Sequence, residues 1–123
     1  MMENLDLRCA ELGRQLAEQD GVEETVFTEA LSVLEEQGVY AFFLSLQARG
    51  RQSHRTISNA CAGFLRGMPT GAPLLGAGDM WQALQRLSED LDRLLFARDL
   101  LRQALVYGRY HAKARQPAGG GSL

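Results

Sequence analysis

The side chains with the most chemical reach in this chain are cations, and they fall into two groups. Arg49, Arg51, His54 and Arg55 place four potential positive charges within seven residues. Arg102, Arg109 and Lys113 are spaced by seven and then four residues, which puts them on one face of a helix, with His111 and Arg115 flanking that face. A guanidinium presents a planar fork of donors that matches a phosphate or a carboxylate. Backbone N–H groups at a helix start favour the same anions. Contact with nucleic-acid phosphates is one account of both groups. The other is a solvated loop, followed by a helix C-terminus whose cations gain about 0.3–1 kcal/mol each from the helix dipole. Tyr107 and Tyr110, set among the second group, offer faces for base stacking or close the edge of the core.

Other chemistries lack their residues. Cys9, Cys61, His54 and His111 show no paired ligand spacing, so a zinc site is rejected, and no other metal or cofactor is implied. Each cysteine lies beside an alanine in a helical pattern and reads as a buried, reduced thiol. Gly71 to Gly76 has the spacing that opens a phosphate-binding loop, but Ala77 and Gly78 stand where that motif needs Lys and Ser or Thr. Gly76-Ala-Gly78 lacks the preceding strand and the third glycine of a dinucleotide fingerprint. There is no Gly-x-Ser-x-Gly elbow, and the carboxylates sit on solvated helix faces rather than as an acid–base pair. The chain reads as non-catalytic.

The elements that must position the cations are all helical. Leu5, Cys9, Leu12 and Leu16 make the stripe of a first helix over 3–19, which Asp20-Gly21 stops. Val26, Phe27, Ala30, Leu31 and Leu34 make a second over 23–37, and Gly38 predicts a break. Val39, Phe42, Phe43 and Leu46 make a third over 39–49, closed by Arg49-Gly50. Ser53 is the expected N-cap of a fourth over 54–66, with Ile57, Ala60, Cys61, Phe64 and Leu65 on one side. Proline and glycine make 68–78 a loop, and Asp79 caps a fifth helix that buries Met80 or Trp81, Leu84 and Leu87. A break at Ser88-Glu89-Asp90 precedes a long amphipathic helix over 91–115, with Leu91, Leu94, Ala97, Leu101, Ala104, Leu105, Tyr107 and Tyr110 as its stripe. No segment alternates as a strand would. The fold class expected is all-α, a compact bundle of five to six helices over 1–116, with 117–123 a disordered glycine-rich tail.

The composition fits one globular domain: 123 residues, 46% hydrophobic and 23% charged. No apolar run approaches the ~18 residues of a membrane span, and the N-terminus has no signal pattern, so a cytoplasmic location and no membrane contact are expected. The net charge of −2 hides a segregation. Residues 1–36 carry ten acidic and two basic side chains; 37–78 carry four Arg and no acid. Residues 79–99 carry five acids and three Arg, and 100–123 carry four basic groups and no acid. Blocks of this kind create a local field even when the total is near zero.

Two stretches carry a family resemblance. Ala30-Leu-Ser-Val-Leu-Glu-Glu-Gln-Gly-Val-Tyr-Ala-Phe-Phe-Leu-Ser-Leu-Gln-Ala-Arg-Gly50 is similar to the central segment of the small helical subunit of type III CRISPR effector complexes, the Cmr type above all. In that family an apolar helix breaks at Gln-Gly or Asn-Gly, and a helix with Ala and Phe then ends at a basic residue and Gly. Residues 100–115, with Ala104-Leu105, Tyr110 and Ala112-Lys-Ala-Arg115, resemble its closing aromatic and basic helix. The resemblance covers some 40 of the 123 residues. The acidic first third and the loop at 68–78 depart from it.

The resemblance implies a non-catalytic RNA-binding subunit that functions in antiviral defense. Such subunits stack on one another and along the other effector-complex subunits, and their basic faces support the backbone of the guide RNA–target RNA duplex. On this chain the implied contacts are Arg49, Arg51, His54, Arg55, Arg102, Arg109, His111, Lys113 and Arg115. Two other classes compete with this reading. A helix-turn-helix DNA-binding regulator would use Ser53 to Ala60 as its recognition helix, although Gln52 and Gln47 stand where that motif prefers apolar and small residues. A helical protein-interaction adaptor would bind no nucleic acid and would rely on exposed apolar residues such as Tyr40 or Trp81.

Overall fold

The computed structural model describes residues 4–115. Among them are six helices and no strand: α1 (Leu5–Ala17), α2 (Glu24–Gln37), α3 (Val39–Arg49), α4 (Gln52–Gly67), α5 (Met80–Ser88) and α6 (Leu91–Arg115). The expected tail at 117–123 lies outside the described residues. None of these helices is long and apolar enough to cross a membrane.

Side-chain caps and left-handed glycines set the boundaries. Asn4 caps α1 by accepting from the Leu7 N–H at 3.0 Å, Asp79 caps α5 by accepting from the Gln82 N–H at 3.0 Å, and Asp90 accepts from the Arg93 N–H at 3.3 Å as α6 begins. Gly38 sits at φ 97° and is the whole link between α2 and α3; Gly50 at φ 71° closes α3 with its N–H on the Leu46 carbonyl. The expected cap of α4 is displaced. Arg51, in extended backbone directly after Gly50, is the N-cap, while Ser53 lies inside the first turn and is buried against the α1–α2 turn.

α6 is the central element. It runs parallel to α1: the Cys9 thiol donates to the Leu100 carbonyl at 3.4 Å, Gly13 abuts Ala104 and Gly108, and Arg115 donates to the Ala17 carbonyl. The two helices meet through small residues at four-residue spacing, Cys9, Gly13 and Ala17 on one and Ala104, Gly108 and Ala112 on the other, all buried. A Cβ placed on Gly13 would stand 2.6 Å from the Ala104 oxygen and 2.6 Å from the Gly108 nitrogen. On its other side Gly108 receives the Phe27 ring of α2; a Cβ there would stand 2.7 Å from Phe27 Cζ. A helix wedged between two others buries two sides, so the single stripe expected for α6 does not describe it. Its buried set is Ala97, Leu100, Leu101, Ala104, Leu105, Gly108 and Ala112. Leu91 and Tyr110 are 66% and 62% exposed.

The remaining core follows the apolar spacing. Phe27, Leu34, Phe42, Phe43, Leu46, Ile57, Cys61, Leu65, Leu84 and Leu101 are almost wholly enclosed. Between α4 and α5 the loop at 68–78 folds back as a plug. Leu74 and Leu75 are buried, the Leu75 N–H donates to the Leu65 carbonyl at 3.0 Å, and Arg93 donates to the Pro73 and Leu74 carbonyls at 2.7 and 3.1 Å. On α3, Tyr40 is exposed and meets Trp81 of α5 with ring centres 5.6 Å apart.

Candidate nucleic-acid interface

The α3–α4 junction divides its cations. Arg49, at the last residue of α3, is paired with Glu29 at 3.3 Å. Arg51 and Arg55 are exposed and make no ion pair among the described residues. Arg55 borders the groove formed with Leu46, Gln47, Asn59 and Met80. His54 is not the surface cation its sequence position suggests. It is only 6% exposed, and its Nδ1 is enclosed without a hydrogen-bond partner. Burial, together with Arg49 and Arg51 and partly opposed by Glu29, holds its imidazolium below the ordinary histidine range. Burial of Ser53 and His54 also removes them from direct base readout, leaving Gln52, Arg55 and Asn59 as the exposed positions of the first two turns of α4.

The end of α6 is divided in the same way. Arg102 Nε contacts both Glu35 oxygens at 2.9 and 2.8 Å, and its NH1 contacts Asp99 at 3.0 Å. The Glu35 hydrogen bond leads in raising its already high pKa, so this guanidinium is a fixed charge spent inside the fold. Arg109 lies 6.0 Å from the Tyr110 ring centre and borders the α2–α6 groove beside Thr28 and Ser32. Lys113 is exposed with no ion pair among the described residues, and His111 is half-buried. Arg115 ties the end of α6 to the end of α1 through the Ala17 carbonyl. Tyr107 is anchored, its hydroxyl 3.0 Å from both Asp6 carboxylate oxygens, whereas Tyr110 stands free of such a tether.

The two groups meet the same turn. Residues 18–23 border a cleft with Ala112 and Arg115 of α6, and Gly21 and Glu23 of that turn also border a cleft with Arg49, Arg51 and His54. Arg115 and the α3–α4 junction therefore adjoin one turn that carries Glu18, Asp20 and Glu23, whereas Arg102 and Arg109 lie further back along α6, beside Glu35 and Thr28 of α2. The two groups do not form one continuous basic strip.

The acidic partners and the α1–α2 turn are what the linear reading missed. Glu29 and Glu35 lie on the face of α2 that reads as solvated, and nothing local shows that each meets an Arg 20 and 67 residues away. Glu23 and Arg51 hold the N-cap positions of α2 and α4, and neither start has a side-chain cap. No group of three His, Cys, Asp or Glu is arranged to hold a metal among the described residues. The free thiols are enclosed, and burial pushes Cys9 to about 11 and Cys61 to about 12, which keeps both protonated and poor nucleophiles at neutral pH. No protein-family model, curated protein or solved structure matches this chain.

Proposed function

We propose that this protein is a non-catalytic small subunit of a type III CRISPR RNA-guided effector complex, stacking along the filament and supporting the guide RNA–target RNA duplex by backbone contacts. The observation that carries the nucleic-acid part is the set Arg51, Arg55, Arg109 and Lys113, cations without carboxylate partners among the described residues. Fixed charges of this kind neutralise phosphates without reading sequence. The family part rests on the two resembling stretches. They fold as the second half of α2 with α3 and as the later turns of α6, and Glu35 and Arg102 join them. Acidic side chains of α1 and α2 would face the basic end of a neighbouring copy in the stack.

The test replaces Arg51, Arg55, Arg109 and Lys113 by Gln in the assembled complex and measures RNA affinity against salt. If each contacts one phosphate, the slope of log K against log salt flattens by roughly 3–4. An unchanged affinity and slope would rule out the nucleic-acid role.

A further inference from the structure

Helices α3, α4 and α5 form a groove of about 350 Å³, lined by Leu46 and Gln47, by Arg55, Ser58 and Asn59, and by Met80. That volume lies in the range of small-ligand sites. Its chemistry is mixed. Leu46 and Met80 supply apolar surface, two carboxamides and a hydroxyl supply uncharged donors and acceptors, and Arg55 supplies the one charge. No carboxylate borders the groove, and residues 38–78, which include all of α3 and α4, contain none.

The side chains of Gln47, Arg55, Ser58 and Asn59 make no hydrogen bond or ion pair among the described residues. Ser58 narrows the reading. It is 8% exposed, so its hydroxyl has lost most of its water without gaining a protein partner. It is nevertheless not one of the unpartnered polar atoms sealed from solvent, which are His54 Nδ1 and Arg98 Nε. The hydroxyl therefore opens into the groove it borders. A polar group in that position favours a ligand that hydrogen-bonds to it.

The lining selects the occupant. Inorganic phosphate would use Arg55 and leave the apolar surface and the carboxamides without a role. A docked helix needs a row of apolar anchors, whereas this groove has room for one flat group. A nucleobase has an apolar face for the Met80 thioether and an edge of mixed donors and acceptors for carboxamides and a hydroxyl. Its phosphate carries the charge that complements Arg55.

We propose that this groove receives one unpaired nucleotide, its base edge on Gln47, Ser58 and Asn59, its base face against Met80 and its phosphate at Arg55. Assigning that nucleotide to an RNA strand rests on the reading above, in which Arg55 meets RNA; the nucleotide site itself does not. The contact goes beyond backbone support, because a base held by its edge is selected by type.

Trp81, the one tryptophan of the chain, directly follows Met80 and gives a fluorescence readout. The experiment titrates the full chain, following Trp81 emission together with the Met80 methyl and Asn59 side-chain amide signals by NMR. The probes are the four ribonucleoside 5′-monophosphates, inorganic phosphate, a single-stranded RNA oligonucleotide, the same RNA as a duplex, and poly-L-glutamate. The monophosphates and the single strand are expected to shift the groove signals, with unequal affinity among the bases, while phosphate and duplex leave them unchanged. Asn59→Ala, at an exposed position, should weaken the preferred nucleotide by about threefold to tenfold, the loss of one hydrogen-bonded edge contact, and level the preference. Arg55→Gln should weaken all four by about fivefold and leave the preference intact. If the monophosphates bind and the single strand does not, the ligand is a free nucleotide and its RNA source is overturned. If the duplex shifts the groove as strongly as the single strand, if the four bases bind equally, or if only poly-L-glutamate binds, which would mark an acidic protein segment, the unpaired-nucleotide site is overturned. The salt dependence of the assembled complex, carried also by Arg51, Arg109 and Lys113, would survive that failure, so the two readings fall separately.

Discussion

His54 shows how one residue changes meaning on folding. In the sequence it sits among three arginines beside a helix start, where a surface imidazole would add a fourth charge. In the fold it is enclosed at the α1–α2 turn, and burial with Arg49 and Arg51 lowers its pKa. The unfolded chain, with an ordinary value near 6.5, then binds more protons than the native state. Stability from a neutral His54 is full above that value and is lost as pH falls through it toward the lower native value. Urea unfolding in phosphate-free buffer should show stability declining between pH 7.5 and 5.5, with a shallower decline for His54→Gln. Equal slopes would mean that His54 titrates normally. The same enclosure gives the cysteines their character: the Cys9 thiol is committed to the Leu100 carbonyl and Cys61 is fully buried, so both are packing groups.

At the scale of elements, the α1–α6 seam leaves no room for an added side-chain atom at Gly13. Small side chains let two parallel backbones approach closely, and that approach lets α6 receive Phe27 of α2 on its other flank. Gly13→Ala adds one methyl group. Removing a mid-helix glycine gains about 1 kcal/mol of propensity, but the new Cβ would stand 2.6 Å from backbone atoms of Ala104 and Gly108 that cannot rotate away. Overpacking of this kind costs about 1–3 kcal/mol or more, and rigid backbone neighbours push it to the upper end. The expected result is a net loss of about 2 kcal/mol in chemical denaturation; a gain in stability would show that the seam can open. The signal for this contact was in the sequence, as Cys9-x3-Gly13-x3-Ala17 and Ala104-x3-Gly108-x3-Ala112. A small residue on an apolar stripe reads locally as weak core, and only a partner with matching spacing makes it a close-approach surface.

At the scale of the whole molecule, the charge blocks of the linear chain do not survive as blocks. The acidic first third supplies Glu29 to Arg49 and Glu35 to Arg102, so two of the nine candidate contacts are neutralised within the fold. Of what remains positive, Arg51 and Arg115 border the acidic α1–α2 turn, while Arg109 borders the α2–α6 groove. A phosphate backbone crossing this end would meet Glu18 and Asp20 between its favourable contacts. Replacing both with Gln and Asn should therefore tighten RNA binding by the assembled complex, by about twofold to tenfold at low salt, with the gain fading as salt rises. An affinity that stays constant would place the RNA path away from this turn.

Residue order alone determined the helical content, the breaks at Gly38, at Gly50 and before Leu91, and most of the apolar core, because caps, left-handed glycines and helical spacing act within a few residues of one another. The burial of Ser53 and His54, the plug formed by Leu74 and Leu75, the ion pairs that consume Arg49 and Arg102, and the meeting of two uncapped helix starts were decided by tertiary structure. Each of these joins groups far apart in the chain. Their energies depend on distance and desolvation in three dimensions, which local spacing does not encode.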